Sequence, residues 1–75
     1  MKIKRSLALH GHATSVALEP VFWEVIDEAV AREACSLAGF IAGLDDQRIA
    51  EGLHSGLASY LRVWCVRELR GRLSP

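Results

Sequence analysis

The 75-residue chain predicts a mainly α-helical fold opened by a short β-ribbon. Three observations carry this prediction. Thr14, Val16 and Leu18 alternate with Ala13, Ser15 and Ala17, which is the period of a half-buried strand. From Phe22 onward the apolar residues fall at Phe22, Val25, Ile26, Ala29 and Val30, which is helical spacing. Two later stretches, 37–47 and 56–70, repeat that helical spacing. At this length the chain, 1–75, makes one domain.

The first strand is expected over residues 3–9. Leu7 and Leu9 point one way, and Lys4, Ser6 and Ala8 the other. Gly11-His12 follows, and a two-residue loop with glycine first suits a type II′ hairpin turn. The turn then occupies 10–13 and the second strand 14–18. This register pairs His10 with Ala13, Leu9 with Thr14, Leu7 with Val16 and Arg5 with Leu18. It gathers Leu7, Leu9, Thr14, Val16 and Leu18 on one face and Lys4, Ser6, Ala8, Ser15 and Ala17 on the other. A three-residue loop at 10–12 would set Leu7 beside Ser15 and scramble both faces.

The strand gives way to helix at Glu19-Pro20. Proline fits the first helical turn, where its missing N–H costs nothing. The residue before it is pushed to extended geometry, so almost no loop is needed. The first helix should run over 20–33. Phe22, Ile26 and Val30 make an apolar row that Trp23, Val25 and Ala29 widen, and so wide a face implies two neighbours. Glu24, Asp27, Glu28 and Arg32 form the wet side.

Ser36 is the expected N-cap of a second helix over 37–47, with Leu37, Phe40, Ile41 and Leu44 as its apolar row. Gly39 and Gly43 cost up to ~1 kcal/mol each inside a helix, which implies a close neighbour such as a partner's backbone. Residues 47–56 are a connection that can hold a helical turn at Arg48–Glu51, with Gly52 as C-cap and Ser55 as the next N-cap. The third helix should run over 56–70. Leu57, Leu61, Trp64, Cys65 and Leu69 line its apolar side, and Gly71 is the expected stop.

Composition adds a partner. Half of the chain, 51%, is apolar, more than so small a body can bury by itself, so an obligate homodimer is expected. The net charge is zero but unevenly spread. Residues 1–18 are basic through Lys2, Lys4 and Arg5, 19–53 are acidic, and 54–75 are basic again. A basic first segment beside an acidic middle can point toward nucleic acid, and it reads equally as a solvated helix surface with a ragged basic end. Cys35 and Cys65 form no C-x-x-C, and with no signal peptide they read as reduced, buried thiols in a cytoplasmic protein. No apolar run approaches the ~20 residues of a membrane span, so no membrane partner is expected.

The strand Thr14-Ser15-Val16-Ala17-Leu18, the helix opening Glu19-Pro20-Val21-Phe22-Trp23 and the second helix opening Ser36-Leu37 together resemble the ribbon-helix-helix family of DNA-binding domains (the Arc and MetJ type). A bacterial branch with Lys4-Arg5-Ser6, Gly11-His12 and a late Leu61-Arg62-Val63-Trp64 run is the nearest likeness. The resemblance implies an intertwined homodimer, with the third helix as an addition packed over the core. It also implies double-stranded DNA as the partner and transcriptional regulation as the role. One strand from each subunit would pair antiparallel and enter a major groove about 12 Å wide. The nucleic-acid-binding residues it implies are Ala13, Ser15 and Ala17 on the ribbon; the basic segment before them adds Lys4 and Arg5, and Ser36, first of all an ordinary N-cap, stands where the second helix can offer its first amides to a phosphate. Glycine is usual in the turn between the first two helices, and here Ala34 stands there.

Two features set the alternatives. Only Ser15 can hydrogen-bond a base edge, since alanine reaches little beyond a thymine methyl. Moreover, a hairpin in each subunit makes a four-stranded sheet at about 4.8 Å per strand, too wide to lie flat in the groove. Either the first strand peels away as a basic arm or the ribbon has lost direct readout. In the second case the chain is a homodimeric protein-interaction module with the same fold. An antitoxin-like protein that binds DNA and a toxin is a third reading, against which the chain ends at Leu73-Ser74-Pro75 with no long tail. His10, His12 and His54 lack the cysteine or acid neighbours in sequence that would complete a metal site, so neither metal nor cofactor is expected. Ser15, His12 and Asp27 could be written as a triad, but a chain this short forms almost no cleft, and no enzyme is expected. Trp23 and Trp64 sit in apolar rows and read as core or dimer anchors.

Overall fold

The structure, a computed structural model, describes residues 1–52 and 55–73. Two antiparallel strands, β1 (Ile3–Leu9) and β2 (His12–Leu18), are followed by helices α1 (Pro20–Glu33), α2 (Leu37–Ala50) and α3 (Leu57–Leu73). Leu53, His54, Ser74 and Pro75 lie outside the described residues, so the metal reading of His54 and the chain end are not placed.

The hairpin register is Leu9 with His12, Leu7 with Thr14, Arg5 with Val16 and Ile3 with Leu18. This corrects the expected turn. The two-residue loop is His10-Gly11, not Gly11-His12, and β2 begins at His12 instead of residue 14. Both loop residues have positive φ, 52° at His10 and 80° at Gly11, as in a type I′ turn. Such a φ is uncommon for histidine. Here its Nε2 lies 3.1 Å from Asp46 Oδ1 and 3.5 Å from Asp45 Oδ2 on α2, which ties the turn to that helix. Because the slip is two residues, the same side chains still share each face.

Glu19 is extended (φ −63°, ψ 148°), and its carbonyl accepts from the amides of Phe22 and Trp23 at 3.0 and 3.3 Å, so α1 starts directly at Pro20. At the other end Ala34 takes the left-handed conformation (φ 51°, ψ 41°). The Cys35 amide donates to the Val30 carbonyl at 3.4 Å and the Ala34 amide to the Ala31 carbonyl at 3.3 Å, the two bonds of a Schellman ending. Cys35, expected to be buried, is exposed, because it lies past the end of α1. Ser36 caps α2 by accepting from the Gly39 amide at 3.0 Å.

α2 runs three residues beyond the expected end at 47. Arg48 holds that last turn by donating to Asp45 at 2.9 Å and to the Ser55 carbonyl at 3.0 Å. Gly52, with φ 69°, follows the helix in the left-handed region. The Gly56 carbonyl accepts from Tyr60, so the first bond of α3 forms at Gly56, and the helix continues through Gly71 to Leu73.

The inner face of the hairpin rests on the helices, α2 against β1 and α3 against β2. Leu9, Val16 and Leu18 meet Trp23, Val25 and Ile26 of α1, Ile41 and Leu44 of α2, and Leu61 and Cys65 of α3. Full burial of each large aliphatic side chain contributes about 1.5–3 kcal/mol. Within the chain, α1's apolar face lies against β1, α2 and α3.

Within the single chain the two glycines of α2 have different surroundings. A Cβ on Gly39 would lie 2.9 Å from Ser36 Oγ, so the close neighbour is the helix's own cap. A Cβ on Gly43 would meet nothing within 4 Å.

Candidate nucleic-acid interface

Strand alternation leaves one face of the hairpin for the solvent. It carries three cross-strand pairs, Lys4 with Ala17, Ser6 with Ser15 and Ala8 with Ala13. Ala17 is half-buried and the other five are exposed. The Ser6 and Ser15 hydroxyl oxygens are 3.5 Å apart across the strands. The result is a low ridge of small side chains with one ammonium at its open end. Ser6 and Ala8 join the residues inferred from the resemblance, and the alternation of residues 3–9 already pointed to them.

Arg5 is placed on the opposite face from Lys4. Its guanidinium makes two bonds to Asp27, 2.8 Å to Oδ1 and 3.0 Å to Oδ2. It also stacks 4.3 Å over the Trp23 ring, while Trp23 Nε1 donates 2.8 Å to the Ile3 carbonyl. This cluster locks β1 onto α1. The bond from Arg5 holds the Asp27 carboxyl below its ordinary 3.8, and Asp27 in turn raises Arg5. In this arrangement the guanidinium is turned toward Asp27 and the indole, away from the Lys4 face. Lys4 is the cation that the outer face of the hairpin carries.

Ser36 lies elsewhere. It is nine residue steps along α2 from Asp45, where the hairpin turn touches that helix, roughly 13 Å of helical rise. Two further ion pairs join α3 to α1. Arg62 donates to Glu19 at 2.9 Å and Arg32 to Glu68 at 3.1 Å. The Arg62 bond holds Glu19 below its ordinary value. Trp64 meets Phe40 edge to face at 5.2 Å. Among the described residues there is no group of three or more His, Cys, Asp or Glu that could hold a metal ion, and no helix is long and apolar enough to cross a membrane.

A two-stranded ribbon, chain-continuous with a Pro-started helix and backed by a second helix with a serine cap, defines a class of domain in which the strands present a surface and the helices carry it. Residues 2–69 match the model of the ribbon-helix-helix domain, and the chain belongs to that family. The structure is similar to that of an uncharacterized protein from Bordetella pertussis Tohama I, at 38% sequence identity and a TM-score of 0.79. That likeness covers 92% of this chain and 56% of the other, so the chain spans a little over half the length of that protein. No curated protein matches the chain.

Proposed function

We propose that the protein is a small DNA-binding homodimer acting in transcriptional regulation, with the outer face of its hairpin as the DNA surface. The observation that carries this is the exposed face Lys4, Ser6, Ala8, Ala13 and Ser15, which the core does not use, in a chain of ribbon-helix-helix type. Dimerisation uses the free edge of β2. That strand is seven residues with no charge and no proline, an edge with nothing to discourage pairing. The β1 strand is charged by Lys4 and Arg5 and lies against α2.

Paired about a two-fold, the two β2 strands form the centre of a four-stranded sheet and the two β1 strands its rims. The rims are then about 14 Å apart, close to the ~12 Å width of the major groove. Such a sheet does not lie flat in the groove: with the twist of a sheet, only the central strands dip between the walls while the rims stay over the phosphates. Ser15 hydrogen-bonds a base edge, Ala13 and Ala17 touch thymine methyls, and Lys4 meets phosphate. The N-terminus of α2 at Ser36 offers further amides to the backbone. Arg5 contributes by holding the ribbon on α1.

The test is a pair of variants on a duplex selected by the wild-type protein. Ser15→Ala should lose about 1–3 kcal/mol on that sequence and nothing on random duplex. Lys4→Ala should weaken both alike. Equal loss on both duplexes for Ser15→Ala would remove base readout from the proposal.

One observation favours a second reading. With Arg5 engaged by Asp27 and Trp23, the outer face is left with a single lysine and three alanines. Such a surface suits a homodimeric protein-interaction module that keeps the fold and has no DNA affinity.

A further inference from the structure

The Arg5–Asp27 pair is open to solvent, with the two side chains 34% and 50% exposed. Arg5 follows Lys4 directly on β1, the strand that forms the rim of the proposed dimer sheet, over a phosphate wall. Its Nη1 and Nη2 donate to the two carboxylate oxygens of Asp27 at 2.8 and 3.0 Å. Those are the N–H groups, in the same fork, by which an arginine grips a phosphate. A carboxylate held this way fills the place of a phosphate.

The ribbon has other holds on the helices. Trp23 Nε1 donates to the Ile3 carbonyl at 2.8 Å, and Leu9, Val16 and Leu18 are buried in the core. Exposed ion pairs, by contrast, hold weakly in water. The pair with Asp27 takes one of the three cations before the helices, Lys2, Lys4 and Arg5, out of service.

From this we infer that Asp27 is an intrachain competitor for DNA phosphate: it holds Arg5 back, and without it Arg5 turns from the flank onto the phosphate beside the rim. The inference rests on the outer face of the hairpin being the DNA surface. A phosphate contact carries no sequence information, so freeing Arg5 raises the affinity for every duplex alike. It also adds two phosphates per dimer, and each steepens the slope of log K against log salt by about 0.9. Stability and affinity then move in opposite directions, because losing the pair weakens the fold and strengthens binding. A residue that only braced the ribbon would lower both.

The test is the affinity of the full chain for a random-sequence duplex from about 50 to about 200 mM salt. Asp27→Asn should bind roughly tenfold tighter than wild type at about 50 mM, with a slope steeper by about 2, so that the gain is gone near 200 mM. Asp27→Ala leaves Arg5 no acceptor at that position and should do at least as much. Asp27 is exposed, so neither variant opens the core. Two controls separate Arg5 from the lost negative charge. Arg5→Ala/Asp27→Asn should return to the wild-type affinity and slope. Glu24→Gln, at an exposed acid one turn earlier on α1, should leave the slope unchanged. Binding seen only in the Asp27 variants would also support the inference. A single affinity and slope shared by wild type and the Asp27 variants would overturn it while leaving DNA binding in place. So would a gain that survives the loss of Arg5 or is matched by Glu24→Gln. No binding by any of them would fail the DNA surface itself, and this inference with it.

Discussion

Replacing Ala34 by glycine should stabilise the protein by about 0.5–1 kcal/mol. Ala34 ends α1 at φ 51° and ψ 41°, where an L-residue with a Cβ costs roughly 1–2 kcal/mol. Glycine removes that strain but gives the unfolded chain more freedom, an opposing ~0.4–1 kcal/mol. The side chain is exposed, and the two Schellman bonds, from the Ala34 and Cys35 amides, are made by the backbone and survive the change. In a domain of this size the gain corresponds to a rise in Tm of roughly 2–8 °C. Thermal melting followed by circular dichroism at 222 nm (the helix band) reads it directly. Ala31→Gly is the control, because Ala31 is equally exposed but lies within the helix, where glycine costs about 1 kcal/mol. A lower Tm for Ala34→Gly than for wild type would refute the left-handed ending of α1.

Three other outcomes follow from the packing and the ion pairs. Val16→Asp should unfold the protein, because Val16 is 3% exposed and a buried unpaired charge exceeds the stability of a small domain, whereas Ser15→Asp on the outer face should leave Tm within ~1–2 °C. Chemical denaturation reads both, and the reverse ranking would mean that the strand faces are exchanged. The folded pKa of Asp27 lies below its ordinary 3.8, so its contribution is fully present above that value and is lost as the pH falls through the depressed one. Asp27→Asn should therefore cost stability at neutral pH and flatten the acid limb of the stability curve below about pH 4; an unchanged limb would mean that the Arg5 pair contributes nothing. Burial pushes the Cys65 thiol up to about 11 while Cys35 is exposed. At pH 8 a thiol reagent should modify Cys35 in the native protein and Cys65 only after unfolding, and two fast thiols would contradict the burial of α3.

What the sequence made legible was set by local chemistry. The strand-to-helix switch at Glu19-Pro20 is a covalent constraint, and Pro20 does start α1. The faces of the hairpin follow from a period of two, so they survive a turn displaced by two residues. The turn itself was not legible. Glycine suggested a loop at Gly11-His12, but His10 adopts positive φ and meets Asp45 and Asp46, a contact made across 35 residues of chain. Glycine also misled at position 71, because it permits a left-handed ending without requiring one, and α3 continues to Leu73. Arg5 shows the same limit at the site. Its charge beside Lys4 suggested a basic arm, while strand alternation already set the two on opposite faces. Only the structure brings Asp27 and Trp23 to it.

The central claim is that the small, weakly charged ribbon face binds duplex DNA. The most direct measurement is the affinity of the wild-type protein for duplex DNA from about 50 to about 200 mM salt, beside Lys4→Ala. With Arg5 engaged by Asp27, a dimer presents Lys2 and Lys4 from each chain, so the slope of log K against log salt should be shallow, no steeper than about −4. Lys4→Ala should flatten it by about 2, one phosphate contact per chain, and leave Tm unchanged. An intact dimer that binds no duplex even at about 50 mM salt would contradict the claim and leave the protein-interaction module as the function of this fold.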